Sequence, residues 1–105
     1  MLDPGLEKEI EYITGQIIRK YHPLKIILFG SAAKGMFSQD SDLDLFIIKE
    51  DPRPGGDRIT DVAGMFEHTV AIDVLVYTPD EVQQCIKWGD PFVNEILAHG
   101  RVIYG

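Results

Sequence analysis

Three segments rich in apolar residues, each the length of a β-strand, constrain the fold of this 105-residue chain more than any other feature. They cover residues 25–29, 42–49 and 69–77. Short apolar runs bounded by turn signals are typical of strands buried in a sheet. None approaches the ~20 apolar residues that a membrane-spanning helix needs. The sequence therefore predicts a small sheet rather than a membrane span.

A helix is predicted before the first strand. Asp3 is a good N-cap residue, and Pro4 is tolerated at the first helical position. The helix should end at His22, because a residue that precedes proline disfavours the helical conformation. Between these limits, apolar residues recur at helical spacing on one face: Leu6, Ile10, Ile13 and Ile17.

Start and stop signals place the remaining elements. Thr78 and Glu81 frame a proline in the form of a capping box, which starts a helix. Asp90 repeats the start signal before Pro91, and Gly100 is a C-terminal stop. In chain order, the predicted elements after the first strand are a helical turn over 31–35, a loop over 36–41, the second strand, a loop over 51–57, a helix over 58–67, the third strand, helices over 78–89 and 90–99, and an edge strand over 102–104.

This order of elements predicts an α/β fold, in which helices flank a small mixed sheet of three to four strands. The helix between the second and third strands makes a parallel crossover possible there. A chain of 105 residues has the length of one domain, so residues 1–105 are predicted to form a single unit.

The charge balance is acidic, with ten Lys and Arg against seventeen Asp and Glu and a formal net charge of −7. This balance lacks the basic footprint of a nucleic-acid-binding protein, so we expect no strong polynucleotide binding. The N-terminal residues carry no signal-peptide pattern, and we expect a cytoplasmic protein without membrane association. A single cysteine, Cys85, excludes an internal disulfide and a cysteine-based zinc site.

Two aspartates begin the second predicted strand. Asp42 and Asp44 stand at positions i and i+2, so their side chains should point to the same face of the sheet. Their mutual repulsion costs stability unless a cation lies between them or one of them is protonated. Carboxylate oxygens suit Mg²⁺ or Mn²⁺. The alternative is a solvated strand end, where both side chains simply face water.

A third aspartate, Asp73, lies within the third predicted strand. An aspartate inside a strand is unfavourable for β-structure and costly to bury without a partner. If the second and third strands are neighbours, Asp73 completes a set of three carboxylates with Asp42 and Asp44. The alternative is that Asp73 caps a backbone group or pairs with a lysine or arginine.

The turn after the first strand has the features of a phosphate-binding segment. Gly30 would let a ligand approach the backbone closely, and Ser31 adds a hydroxyl donor. Free N–H groups of a following helical turn suit phosphate, and Lys34, before Gly35, offers a point charge. The alternative is an ordinary strand-to-helix turn with a capping serine. A phosphate-binding turn followed by paired carboxylates fits two-metal phosphoryl or nucleotidyl transfer.

These residues resemble the signature of the DNA polymerase β-like nucleotidyltransferase superfamily, and most closely its minimal nucleotidyltransferase branch. The resemblance covers nearly the whole chain and implies the nucleotidyltransferase fold. It also implies transfer of a nucleoside monophosphate, usually AMP from ATP, to a hydroxyl with release of pyrophosphate. The matching positions are Gly30, Ser31, Gly35, Ser41, Asp42, Asp44 and Leu45.

The resemblance also implies a role for each site residue. Asp42 and Asp44 would hold two Mg²⁺ ions, with Mn²⁺ possible, and Asp73 would bind the catalytic metal and help to deprotonate the acceptor. Many minimal members carry arginine where Ala32 stands, which leaves open whether phosphate binding is weaker or Lys34 substitutes. The residues implied in binding the nucleotide are Gly30, Ser31, Lys34, Gly35 and Ser41.

Some members of this branch resemble the antitoxin half of toxin–antitoxin pairs. Their partner is a small all-helical HEPN ribonuclease, to which AMP is added on a tyrosine. The resemblance thus implies a HEPN-type partner and a homo- or hetero-oligomer. Two other hypotheses remain open: an antitoxin-like module that neutralises a partner by binding alone, and a small-molecule nucleotidyltransferase that acts as a homodimer.

Three further residues carry weaker expectations. Arg53 and Arg58, in and after the loop rich in Pro and Gly, are expected to be solvated. The alternative places both arginines near the mouth of the site. Trp88 is expected to pack at the end of its helix, with a role as an interface anchor as the alternative.

Overall fold

The computed structural model describes residues 4–35, 42–65, 67 and 71–105. Within these ranges it contains helices on both faces of a mixed four-stranded sheet. The helices are α1 (Pro4–Tyr21), α2 (Gly30–Ala33), α3 (Gly55–Ala63), α4 (Pro79–Trp88) and α5 (Pro91–His99). The strands are β1 (Lys25–Phe29), β2 (Leu43–Ile48), β3 (Ile72–Tyr77) and β4 (Arg101–Tyr104).

The strands lie in the order β3-β2-β1-β4. β1 is antiparallel to both β2 and β4, whereas β2 and β3 are parallel and are joined through α3. The predicted parallel crossover and the predicted edge strand near the C-terminus are therefore both confirmed. In this topology, the C-terminal end of β1 and the N-terminal ends of β2 and β3 lie at the same end of the sheet.

Alternating side chains of β2 pack against different helices, as the period of a strand requires. Leu45 points to the face that α1 covers and packs in a cluster with Ile13. Phe46 points to the opposite face and packs in a second cluster with Val82 of α4 and Val93 of α5. The sheet is therefore buried on both faces, which agrees with its near-continuous apolar runs.

The helix start signals read from the sequence are confirmed. Thr78 Oγ1 accepts a hydrogen bond from Glu81 N (3.1 Å), and Glu81 Oε1 accepts one from Thr78 N (2.7 Å), which completes the capping box of α4. Asp90 Oδ1 accepts from Phe92 N (2.9 Å) at the start of α5. The predicted cap at Asp3 lies outside the described residues.

The third helix differs from the prediction. α3 spans Gly55–Ala63 instead of 58–67, so the second half of the predicted loop over 51–57 is helical. Buried Arg58 anchors this helix: its Nη1 donates to Glu81 Oε1 (2.6 Å) and to the Val76 carbonyl (3.2 Å). These tertiary contacts outweigh the low helix propensity of glycine. The expectation that Arg58 is solvated was wrong.

Two other boundaries or placements also differ. β3 begins at Ile72 rather than at residue 69, and residues 68–70 lie outside the described ranges. The Trp88 side chain is 76% exposed, so the expectation that it packs at the helix end was wrong. Among the described residues, no helix is both long and apolar enough to cross a membrane.

A hydrogen-bond network of Tyr21, Asp51 and Arg53 lies at the end of the sheet opposite to Asp44. Asp51 lies just beyond β2, and its carboxylate accepts a hydrogen bond from Tyr21 Oη (2.6 Å). Arg53 donates to the same carboxylate through Nε (2.9 Å) and Nη2 (2.6 Å). These bonds, and above all those from Arg53, hold the pKa of Asp51 well below its usual range. Arg53 is therefore ion-paired rather than simply solvated.

We expect Asp51→Ala to lower the free energy of unfolding by about 2 kcal/mol at pH 7, because it leaves the buried Tyr21 hydroxyl without its acceptor. The depressed pKa makes this contribution fully present above the unfolded pKa of about 3.9, and it is lost as the pH falls through the folded value. Urea denaturation of both proteins between pH 3 and pH 7 measures the difference. A difference that grows as the pH is lowered would contradict this account.

Candidate active site

Asp44 and Asp73 lie side by side on neighbouring strands. Each is the second residue of its strand, and the parallel pairing of β2 and β3 sets them directly opposite each other. Residues in register on adjacent strands project to the same face of a sheet. Asp42 precedes β2 and is close enough for its charge to act on Asp44. The structure thus brings together three acids that the sequence connected only by assuming that the strands are adjacent.

The electrostatics of this cluster are unfavourable without a cation. Burial, then the charge of Asp73, then that of Asp42, raise the pKa of Asp44 above its ordinary value. In the described part of the chain, no lysine or arginine forms an ion pair with these carboxylates. The alternative in which Asp73 pairs with a basic residue therefore finds no support there.

The surroundings of Asp73 differ from the expectation in one respect. Its side chain is exposed at the start of β3, so the premise of an aspartate buried inside a strand was wrong. β3 is also an edge strand of the sheet. Asp73 is consequently accessible from solvent while it remains in register with half-buried Asp44.

Gly30 forms the sharp turn that brings the backbone against Asp44. Phe29, the last residue of β1, is the antiparallel partner of Asp44, and Gly30 follows with φ +72°. A Cβ atom at position 30 would overlap the Asp44 carboxylate. Glycine is required here for two reasons, because the backbone is left-handed and because the carboxylate fills the space of a side chain.

The other predicted phosphate-binding residues surround this turn. Ser31 is partly buried in α2, and Lys34 and Gly35 follow it on the exposed surface, where Gly35 has φ +72°. Ser41 lies outside the described residues. The structure therefore places Gly30 against Asp44, and Ser31, Lys34 and Gly35 follow it along the chain.

Ala32 points away from this surface. Its side chain is buried in the cluster that includes Ile10 and Ile13 of α1. The residue at position 32 therefore contributes to the core on the inner side of the turn, whereas Lys34 is exposed on its outer side.

The donor set fits a hard divalent cation. Three carboxylates lie at one end of the sheet, and carboxylate oxygens are the ligands that Mg²⁺ and Mn²⁺ prefer. A cation would relieve the repulsion that raises the pKa of Asp44. Within the described ranges, no three acidic, His or Cys side chains are already drawn together at ligand distances. Asp42, Asp44 and Asp73 could hold such an ion after side-chain rotation.

We expect Asp44→Asn to raise the free energy of unfolding at pH 7 in the presence of a chelator. The pKa of Asp44 is higher in the folded than in the unfolded protein, so ionisation of Asp44 lowers the free energy of unfolding. This loss develops above the unfolded pKa and is complete once the pH exceeds the folded pKa. Asparagine removes that charge, so the gain should vanish well below pH 4, where aspartate is protonated in both states. Thermal unfolding at pH 7 and pH 3 measures it. A variant less stable than the wild type at pH 7 would count against the proposed repulsion.

A pocket of about 140 Å³ adjoins the turn on the side away from Asp73. It lies between α2 and α5, and its walls include Gly30, Lys34, Phe92 and His99. Sequence patterns did not indicate that α5 borders the turn, because that contact depends on how the helix packs on β1. The only local signal is the Asp90 cap that positions Phe92 in the first turn of α5.

Comparison with known proteins identifies the family of the chain. Residues 11–105 match the family model described as "Polymerase beta, Nucleotidyltransferase". A protein of Methanocaldococcus jannaschii named "Putative protein adenylyltransferase" is 30% identical over 102 residues, which cover 93% of this chain and 97% of that protein.

A solved structure shares the fold. It is the crystal structure, at 1.40 Å resolution, of "a putative nucleotidyltransferase" from Sulfolobus solfataricus, with a TM-score of 0.57 and 21% identity. The match covers 73% of this chain and 70% of the other. The chain belongs to the polymerase β nucleotidyltransferase family.

Proposed function

We propose that this nucleotidyltransferase moves AMP from ATP to a hydroxyl group on a partner protein, with Mg²⁺ as its metal cofactor. The observation that carries the proposal is the register of Asp44 with Asp73 beside the Gly30 turn. The relative from Methanocaldococcus jannaschii, named "Putative protein adenylyltransferase", supports a protein acceptor.

The three aspartates are the proposed metal ligands. Asp42 and Asp44 would hold two ions, and Asp73 would bind the catalytic one. Bound there, Mg²⁺ or Mn²⁺ lowers the pKa of the attacking hydroxyl and neutralises charge on the phosphates and on the departing pyrophosphate. The negative net charge of the chain is compatible with an anionic substrate, because bound cations dominate the local field.

The turn after β1 is proposed to orient the triphosphate. Gly30 has no side chain, so phosphate oxygens can approach its backbone. Ser31 would donate through its hydroxyl, and Lys34 would neutralise charge from the exposed side. Gly35 and Ser41 would also bind the nucleotide.

Asp73 is proposed to receive the proton of the acceptor hydroxyl. The acceptor oxygen then forms a bond to the α-phosphorus. At the same time, the bond breaks between that phosphorus and the oxygen that bridges the α- and β-phosphates. Pyrophosphate leaves with that electron pair. An exposed carboxylate on the outer strand is open to a bulky acceptor, which supports a protein side chain over a small molecule enclosed in a cleft.

We further propose that the acceptor is a small all-helical HEPN-type protein, modified on a tyrosine. The test incubates the purified chain with ATP labelled at the α-phosphate, Mg²⁺ and host lysate. The Asp42→Asn/Asp44→Asn variant runs in parallel, and products are treated with protease or ribonuclease before electrophoresis. We expect one protease-sensitive band with the wild type only. A ribonuclease-sensitive band, or equal labelling by the variant, would contradict the proposal.

A further inference from the structure

The pocket between α2 and α5 shares a wall with the phosphate-binding turn and contains the aromatic side chains of Phe29 and Phe92. Its floor includes buried Ile96, and one wall is Phe29, the cross-strand partner of Asp44. Gly30 belongs to both the turn and the pocket. A ligand in this pocket would therefore lie next to a triphosphate bound at the turn.

The aromatic side of the pocket is only half covered. Phe92 meets Phe29 edge to face, with ring centroids 5.8 Å apart and an interplanar angle of 86°. Its side chain nevertheless remains 48% exposed. Phe29 covers one part of the Phe92 ring, and the uncovered part is available to a flat ligand ring.

The order of the site residues across this end of the sheet separates the place of the acceptor from that of the donor nucleotide. From β3 to β4 the sequence is Asp73, Asp44, Gly30 and then the pocket. If the acceptor enters at Asp73, the pocket lies on the opposite side, where the donor nucleotide must extend. A cavity of about 140 Å³ is smaller than the ~300 Å³ typical of pockets for drug-sized ligands, and it suits a single flat ring system.

We propose that this pocket binds the base of the nucleoside triphosphate donor, with Phe92 as its stacking residue. The inference rests on the proposed function, because it assumes a triphosphate at Gly30 and Ser31. It assigns to α5 a part in nucleotide binding that the sequence motif does not include. Lys34, at the rim, would connect the base pocket to the phosphates.

Binding measurements separate the base from the phosphates. The Kd values of ATP and of inorganic triphosphate, both with Mg²⁺, are measured by calorimetry for the wild type and for Phe92→Ala, Phe92→Leu and Leu97→Ala. Leu97 lies on the same helix, is exposed and does not line the pocket, so its variant is the matched control. The Leu variant retains apolar volume if the Ala variant unfolds.

We expect both Phe92 variants to weaken ATP binding, by about fivefold to a hundredfold for Phe92→Ala, because base stacking on an aromatic ring contributes that much. Triphosphate binding should be unchanged, and Leu97→Ala should match the wild type for both ligands. Unchanged ATP affinity in both Phe92 variants would overturn the inference, as would equal weakening of ATP and triphosphate.

Two further outcomes distinguish the inference from the proposed function. If the Phe92 variants bind ATP normally but transfer AMP slowly, the pocket holds the acceptor, and the base assignment is wrong. If the wild-type chain binds neither ATP nor triphosphate, the proposed function itself fails, and the inference fails with it.

Discussion

Asp44→Asn is expected to reduce AMP transfer by about a hundredfold to a thousandfold or more, as is typical when an electrostatic group at a reacting centre is removed. Asp44 neighbours both Asp42 and Asp73. Its replacement would therefore remove a ligand that both proposed ions need. The fold should remain intact, because Asp44 forms no ion pair in the described structure and its charge opposes folding. Initial rates with α-labelled ATP, together with circular dichroism, measure both effects.

Glu50→Gln is the matched control for this prediction. Glu50 is an exposed carboxylate two residues after β2, at the end of the strand opposite to Asp44. Its replacement therefore removes one negative charge far from the acidic cluster. We expect the transfer rate of this variant to equal that of the wild type. Comparable losses in both variants would mean that net charge, rather than the acidic cluster, governs the reaction.

Gly30→Ala is expected to abolish transfer as fully as Asp44→Asn does, although it removes no charged group. The new Cβ would overlap the Asp44 carboxylate, and the left-handed backbone at φ +72° disfavours alanine. The carboxylate or the turn must therefore move. The left-handed conformation should also cost about 1–2 kcal/mol of stability. Transfer rates and urea denaturation measure the two consequences separately.

Gly89→Ala provides the control for backbone strain. Gly89 ends α4 with the same φ of +72°, but a Cβ there would meet nothing within 4 Å. We expect a similar loss of stability, about 1–2 kcal/mol, with full transfer activity under native conditions. If Gly89→Ala also lost activity, the effect at Gly30 would reflect instability and not the position of Asp44.

The sequence predicted which residues would form the acidic cluster but not how they would meet. Alternation along a strand is local, so the expectation that Asp42 and Asp44 share an orientation follows from their spacing. The register between Asp44 and Asp73 depends on the order of the strands, which no local pattern encodes. The exposure of Asp73 has the same origin, because it follows from the position of β3 at the edge of the sheet.

Tertiary contacts account for the helix boundary that was missed. Gly55 and Gly56 are poor helix formers, so a local reading assigns them to a loop. Arg58 is drawn into the core by Glu81 and by the Val76 carbonyl, and the helix extends to include both glycines. Phe92 was missed for a similar reason, because its contact with Phe29 joins elements far apart in sequence.

The central claim is that Asp42, Asp44 and Asp73 promote transfer of AMP, and the most direct test follows the fate of each phosphate of ATP. The chain and its acceptor are incubated with Mg²⁺ and ATP labelled at either the α- or the γ-phosphate, with Asp44→Asn in parallel. We predict that the acceptor gains label from α-labelled ATP only, that pyrophosphate carries the γ-label, and that the variant gives neither product. Label on the acceptor from γ-labelled ATP, or transfer by Asp44→Asn at the wild-type rate, would contradict the account.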